Sequence, residues 1–152
     1  MADLARTLAG VSRVPFLVLT PLCVLQGVAL AATGGEGISL LRVSLVFVAA
    51  LAAHILVNVA NEVSDFRSGL DLHTERTPFY GGSGTLPASP EGLTAARMSV
   101  GASLATLLLS GVFLIWLSGP GLLAFGAVGS LCRYRLPGQR PAAYESVAGP
   151  GN

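Results

Sequence analysis

Three apolar stretches of about twenty residues each limit what this chain can fold into more than any other feature. They cover residues 14–32, 43–60 and 98–117. An α-helix rises about 1.5 Å per residue, so roughly 20 apolar residues cross about 30 Å of hydrocarbon. With 52% hydrophobic and only 11% charged residues, the chain is too apolar for an ordinary soluble domain. We therefore predict an all-α fold, a multi-pass transmembrane helical bundle.

A fourth apolar stretch, residues 121–132, covers only about half of a bilayer at the same rise per residue. The sequence thus predicts three full spans and a truncated fourth within a partial membrane domain at 14–132. Residues 133–152 are dense in Gly, Pro and Arg and have no apolar period, which predicts a disordered tail. Residues 61–97 form the long loop between the second and third spans.

Arginine placement predicts the orientation in the membrane. All nine basic residues are arginines, and eight of them lie in residues 1–13, in the 61–97 loop or in the tail. Arg42 alone lies between the first and second spans, on the other side of the membrane. Because basic residues near span ends are retained in the cytoplasm, we expect these three segments to be cytoplasmic and the chain to lie in the cell membrane. A cleaved signal peptide ending at residues 29–31 is the alternative, and it would leave the loop on the same side.

Composition excludes several classes of function. A net charge of +1 offers no basic excess for nucleic acid, so no nucleic-acid partner is expected. The absence of lysine excludes a Schiff-base lysine and the lysine-dependent phosphate loop. The two cysteines supply neither a disulfide framework nor the thiolates of a zinc or iron–sulfur site.

The second span turns polar toward its end. His54, Asn58, Asn61 and Asp65 follow one another at helical spacing and fall within about 60° on one face. An ionised aspartate facing lipid would cost on the order of 2.5–3.5 kcal/mol, so this stripe must face a polar cavity or another helix. His54 is expected either to contact a substrate or to hydrogen-bond a neighbouring helix.

Oxygen ligands are concentrated where this helix ends. Gly69 is expected to break the helix and to let Asp71 return toward Asp65, beside Asn61 and Glu62. Such a set suits a hard cation, and Mg²⁺ in particular is usually held by one or two carboxylates together with substrate phosphates.

Arginines alternate with these acidic residues. Arg67 and Arg76 are suited to bidentate phosphate binding, which favours a metal-bridged di- or triphosphate over a bare cation. An ordinary solvated loop is the alternative. The glycine-rich segment 81–85 has no following Gly-Lys-Ser/Thr, so a flexible hinge is expected there rather than a nucleotide-binding loop.

At residues 58–84 the sequence resembles the UbiA superfamily of intramembrane aromatic prenyltransferases. Asn61, Glu62, Asp65 and Asp71 match the family's Asn-Asp-x-x-Asp motif and its downstream aspartate, with glutamate in place of the first aspartate. The longer spacing to Asp71 is similar to the branch that prenylates 1,4-dihydroxy-2-naphthoate for menaquinone biosynthesis. The segment 76–82, RTPFYGG, resembles the stretch that follows this motif in the family.

This resemblance implies a transferase that moves a polyprenyl group from an allylic diphosphate to an aromatic acceptor in quinone biosynthesis, with Mg²⁺ as cofactor. By resemblance the catalytic residues are Asn61, Asp65 and Asp71, which would hold the metal with Glu62. Substrate binding falls to a further set of polar residues: His54, Asn58, Arg67, Arg76 and Tyr80.

Family members carry more spans and a second aspartate motif, so we expect this chain to be the N-terminal half of such an enzyme. One alternative is a non-catalytic membrane fragment or helper that binds lipid or a partner helix. A CDP-alcohol phosphotransferase is a further alternative, but its Asp-Gly-x-x-Ala-Arg signature is missing from the sequence.

Overall fold

The structure, a computed structural model, describes residues 2–35, 37–70, 82–124 and 126–127. Every regular element in this part of the chain is a helix, which confirms the all-α prediction. The α-helices are α1 (Ala2–Val11), α2 (Leu19–Thr33), α3 (Leu40–Ser68), α4 (Thr85–Ala88) and α5 (Leu93–Ser118). Two 3₁₀ helices, Val14–Val18 and Pro90–Gly92, lead into α2 and α5.

Among the described residues, three helical segments are long and apolar enough to cross a membrane: Val14–Thr33, Leu40–Ser68 and Pro90–Ser118. They correspond to the three predicted spans. With 29 residues, α3 is about 43 Å long and so exceeds the hydrocarbon thickness of about 30 Å. Its last eight residues, 61–68, are helical; they belong to the segment between the second and third apolar stretches, and we call them the polar end of α3.

The ends of α3 have clear causes. The Ser39 side chain accepts a hydrogen bond from the Arg42 backbone N–H at 3.5 Å, as an N-cap residue does. The helix ends where Gly69 adopts a left-handed conformation with φ 76°, the usual glycine termination. Because no helix breaker precedes Gly69, the helix continues beyond the apolar stretch, and the predicted helix break at this glycine is confirmed.

The buried core is small and lies beside the polar end of α3. Val11, Val59, Leu86 and Ala96 are buried together, one each from α1, α3, α4 and α5. Partly buried side chains surround them: Ile55, Val63, Phe66, Leu93 and Val100. Elsewhere the long helices expose large apolar side chains such as Leu22, Leu30 and Leu109, as surfaces that face lipid do.

The chain divides into two compact units, Met1–Leu114 and Ile115–Asn152. In the second unit, α5 ends before Gly119, which has φ 87°. Residues 121–124 and 126–127 are helical. The rest of the predicted fourth span and the predicted disordered tail lie outside the described residues.

Candidate functional site

The polar stripe of α3 begins with two side chains that are bonded within the protein. His54 Nδ1 lies 2.9 Å from the hydroxyl of Thr20 on α2, and Asn58 Nδ2 donates to the Ser12 carbonyl at 2.9 Å. Thr20 and Ser12 are both buried, and buried polar groups need such partners. These bonds join α3 to α2 and to the turn after α1. The His54–Thr20 bond is the contact with a neighbouring helix that was one of the two expectations for His54.

Glu62 is the most buried charged residue of the described chain, with 0% of its side chain exposed. Its Oε2 accepts a hydrogen bond from the Ser83 backbone N–H at 3.1 Å and lies 3.5 Å from Arg13 Nη2. Its Oε1 accepts a hydrogen bond from the Ser83 hydroxyl. Burying a carboxylate is costly unless it is paired and hydrogen-bonded, so these partners explain how α3 accommodates it.

Arg13 reaches this carboxylate from a turn of unusual conformation. Its φ of 52° and ψ of 54° place it in the left-handed region, which residues other than glycine seldom adopt. The side chain is 31% exposed, and Nε is buried without a hydrogen-bond partner among the described residues. One guanidinium nitrogen therefore makes the ion pair, which is not the stronger bidentate arrangement.

The segment around Ser83 is shaped by its glycines. Gly82 and Gly84 have φ values of 78° and 70°, which glycine adopts without steric cost. Ser83 Oγ accepts from the Thr85 N–H at 3.1 Å and lies 2.7 Å from Thr85 Oγ1. Since the single hydroxyl proton of Ser83 goes to Glu62, the Thr85 hydroxyl is the donor in that last contact.

Close packing holds the same segment against α1. A Cβ at Gly10 would lie 2.2 Å from Thr85 Oγ1, and one at Gly92 would lie 2.5 Å from Thr7 Cγ2. Only glycine permits α1 to approach the chain this closely. Residues 82–85 belong to the segment predicted to be a flexible hinge, and in the structure they lie between Glu62 and α1.

The stripe ends with two side chains, Asn61 and Asp65, that are not paired with any other described residue. Asn61 is exposed and Asp65 is half-buried. Within the described residues, neither side chain has a hydrogen-bond or ion-pair partner. That part of the chain also contains no cluster of three or more His, Cys, Asp or Glu residues able to hold a metal. Of the four predicted metal ligands, three are described by the structure. The Asp65 carboxylate and the Asn61 amide remain accessible, whereas Glu62 is buried against Arg13 and Ser83.

Arg67 lies on a different face of α3. Residues two apart on a helix differ by about 200°, so Arg67 is nearly opposite Asp65. It lines a groove of about 670 Å³ between the polar end of α3 and the start of α5, where Arg97 lies on the other wall. The described residues therefore do not bring Arg67 and Asp65 to one ligand, although the sequence placed both in one site.

Three predicted site residues, Asp71, Arg76 and Tyr80, lie outside the described residues. Conversely, sequence reasoning did not select Arg13, Ser83 or Arg97, although each lies in the site region. The sequence contained one indication that Glu62 would have partners such as Arg13 and Ser83: a glutamate at the membrane end of an apolar helix needs them. Which residues supply them depends on packing between segments far apart in the sequence.

No family model, curated protein or solved structure matches the chain. What the site can do is therefore inferred from the chemistry of its own residues. A carboxylate and an amide without partners among the described residues can contribute to a hard-cation site, and two arginines in one groove can bind phosphate.

Proposed function

We propose that the polar end of α3 binds the diphosphate of a polyprenyl donor together with Mg²⁺, as part of a membrane prenyltransferase that alkylates an aromatic acceptor. The observation that supports this function best is the accessibility of the Asn61 and Asp65 side chains. Both are polar, accessible and without partners among the described residues, although they continue a helix that is long and apolar enough to cross a bilayer. Their oxygen atoms are therefore available to a ligand at the membrane end of the span.

The donor atoms available suit Mg²⁺. This ion keeps several waters and is commonly bound through one or two carboxylates and substrate phosphates, so Asp65 and the Asn61 carbonyl would form part of its coordination, and Asp71 would join them by the resemblance. When bound, Mg²⁺ supplies the positive charge that stabilises the diphosphate leaving group.

The other residues of the region have positioning and binding roles in this proposal. The buried bonds of Glu62 to Arg13 and Ser83 hold the polar end of α3 in place, so Glu62 acts as a positioning residue. The exposed apolar sides of the long helices accommodate the isoprenoid chain in the bilayer. Arg76 and Tyr80 are assigned to the substrate by resemblance alone.

The chemical step follows from the substrates. The allylic C–O bond breaks and its electron pair leaves with the diphosphate. The electron-rich ring of the acceptor then forms a C–C bond to the cationic prenyl carbon and loses a proton. The protein contributes by keeping water away from the cation and by offsetting the charge on the diphosphate.

Binding of farnesyl diphosphate to the purified full chain in detergent tests this proposal. We expect binding that requires Mg²⁺ and that Asp65→Asn weakens about 10- to 100-fold, the size expected for one lost charged contact. Asp3→Asn, which changes an exposed aspartate on α1, is the matched control. Binding that is unaffected by metal removal, or equal in the two variants, would contradict the proposal. Transfer to 1,4-dihydroxy-2-naphthoate is the accompanying activity assay.

A second function, a non-catalytic membrane protein that binds lipid or a partner helix, is favoured by one observation. His54, Asn58 and Glu62 all have partners inside the chain, as structural polar residues do. If a helical, monodisperse chain binds no farnesyl diphosphate with or without Mg²⁺, this second function becomes the better one.

A further inference from the structure

The groove between α3 and α5 is lined by both polar and apolar residues. Its polar side chains are Ser64, Arg67 and Ser68 from α3 and Arg97 from α5. The apolar surface comes from small or branched residues of the same two helices: Ala60, Val63 and Val100. The groove therefore presents two cations and two hydroxyl groups together with an apolar surface.

The groove lies at the depth of the lipid headgroups. Residues 43–60 of α3 are about 27 Å long, close to the hydrocarbon thickness, and Arg67 follows about 10 Å further along the helix. Arg97 directly precedes the apolar stretch 98–117. Side chains on a helix lean toward its N-terminus, so Arg67 leans back toward the bilayer. Both guanidinium groups can thus reach the headgroup layer.

Both arginines are available to an anion. Each is exposed, and neither has an acidic partner among the described residues, where the ion pair formed is Arg13 with Glu62. Guanidinium groups bind phosphate oxygens in bidentate fashion, and serine hydroxyls add further donors. Basic pockets between membrane helices at this depth are suited to anionic lipid headgroups.

The same groove is poorly placed to share a ligand with Asp65. Arg67 is about 200° around α3 from that carboxylate, so a diphosphate coordinated at Asp65 lies on the far side of the helix. The groove and the proposed diphosphate site therefore lie on different sides of the polar end of α3.

We propose that the groove lined by Arg67 and Arg97 binds the phosphate of an anionic phospholipid, with its acyl chains running along the apolar lining residues into the bilayer. The site is distinct from the proposed diphosphate site and does not depend on it. Charge complementarity and continuity with the lipid-facing helix surface favour a lipid over a soluble phosphate.

Native mass spectrometry of the detergent-purified full chain tests this proposal. The chain is titrated with phosphatidylglycerol or with phosphatidylcholine of the same acyl chains. We expect tighter binding of phosphatidylglycerol, weakened about five-fold by Arg67→Gln or Arg97→Gln and about 30-fold by both, from the usual contribution of one basic residue at a lipid surface. Arg6→Gln, which removes an exposed arginine from α1, should leave the affinity unchanged.

Three results would overturn the lipid site: equal affinity for the two lipids, an Arg6→Gln effect as large as that of Arg67→Gln, or displacement of phosphatidylglycerol by farnesyl diphosphate or inorganic phosphate. Asp65→Asn should not alter phosphatidylglycerol binding, which separates this test from that of the prenyltransferase. Far-UV circular dichroism checks the helix content of each variant. If the double variant loses helix, the two single variants decide by the same five-fold criterion.

Discussion

Replacing Glu62 by glutamine tests whether the buried carboxylate holds the N-terminal segment, α3 and the glycine-rich segment together. The substitution keeps the side-chain volume but turns one acceptor oxygen into a donor. Ser83 presents two donors and Arg13 a third. The amide oxygen of glutamine can keep the Ser83 N–H and Arg13, but the amide NH₂ then faces the Ser83 hydroxyl, which must accept a hydrogen bond and so loses the one it donated to the carboxylate. One lost hydrogen bond to a charged group accounts for about 1.5–3 kcal/mol.

The ion pair contributes less to the free energy of unfolding than this hydrogen bond does. Arg13 is 31% exposed and contacts the carboxylate through one nitrogen at 3.5 Å, so we assign it about 1 kcal/mol or less. Glu62→Gln should therefore lower the free energy of unfolding by about 2–4 kcal/mol. Equilibrium unfolding in mixed micelles of rising dodecyl sulfate content, followed by circular dichroism, measures this quantity.

The matched control is Glu91→Gln, which changes an exposed glutamate and should shift stability by less than about 0.5 kcal/mol. In double-mutant cycles, the coupling of Glu62 to Ser83 should exceed its coupling to Arg13. If Glu62→Gln is no more destabilising than the control, or if the order of the couplings is reversed, the inferred bonding of the cluster is refuted.

Two further substitutions test the packing around this cluster. Gly10→Ala places a methyl group where the structure leaves no room and should lower the free energy of unfolding by about 1–2 kcal/mol once the better helix propensity of alanine is subtracted. Its control is Gly101→Ala in α5, where a Cβ has nothing within 4 Å, so this change should leave the free energy of unfolding unchanged or raise it. Equal effects of the two substitutions would contradict the close approach of α1. Asn58→Ala leaves the carbonyl of the buried residue Ser12 without its donor and should cost about 1–3 kcal/mol. Asn61→Ala removes an exposed amide that has no partner among the described residues, so it should cost less than about 0.5 kcal/mol in the same unfolding assay.

The features predicted well from the sequence are those set by local chemistry. Apolar length predicts the three spans, and the glycine at 69 predicts the end of α3, because both depend on residues close together in the chain. The separation of Arg67 from Asp65 could also be predicted from helix geometry, since residues two positions apart on a helix differ by about 200°.

The features not predicted depend on contacts between distant segments. Ser83 bonds to Glu62 across 21 positions of sequence, and neither the hydrophobic pattern nor the glycine spacing indicates that pairing. The groove between Arg67 and Arg97 likewise depends on how α3 and α5 approach each other. For Asp71, Arg76 and Tyr80 the predicted roles stay predictions.

The order of the segments has a consequence for how the protein is made. Arg13 is synthesised before Glu62, whereas Ser83 follows 21 residues later, a delay of about 1–4 s at ordinary translation rates of about 5–20 residues per second. During that interval the arginine is the partner from this cluster that the carboxylate can meet. The weaker of the two interactions in the finished protein is thus the first one available to neutralise a charge at the end of a newly inserted helix.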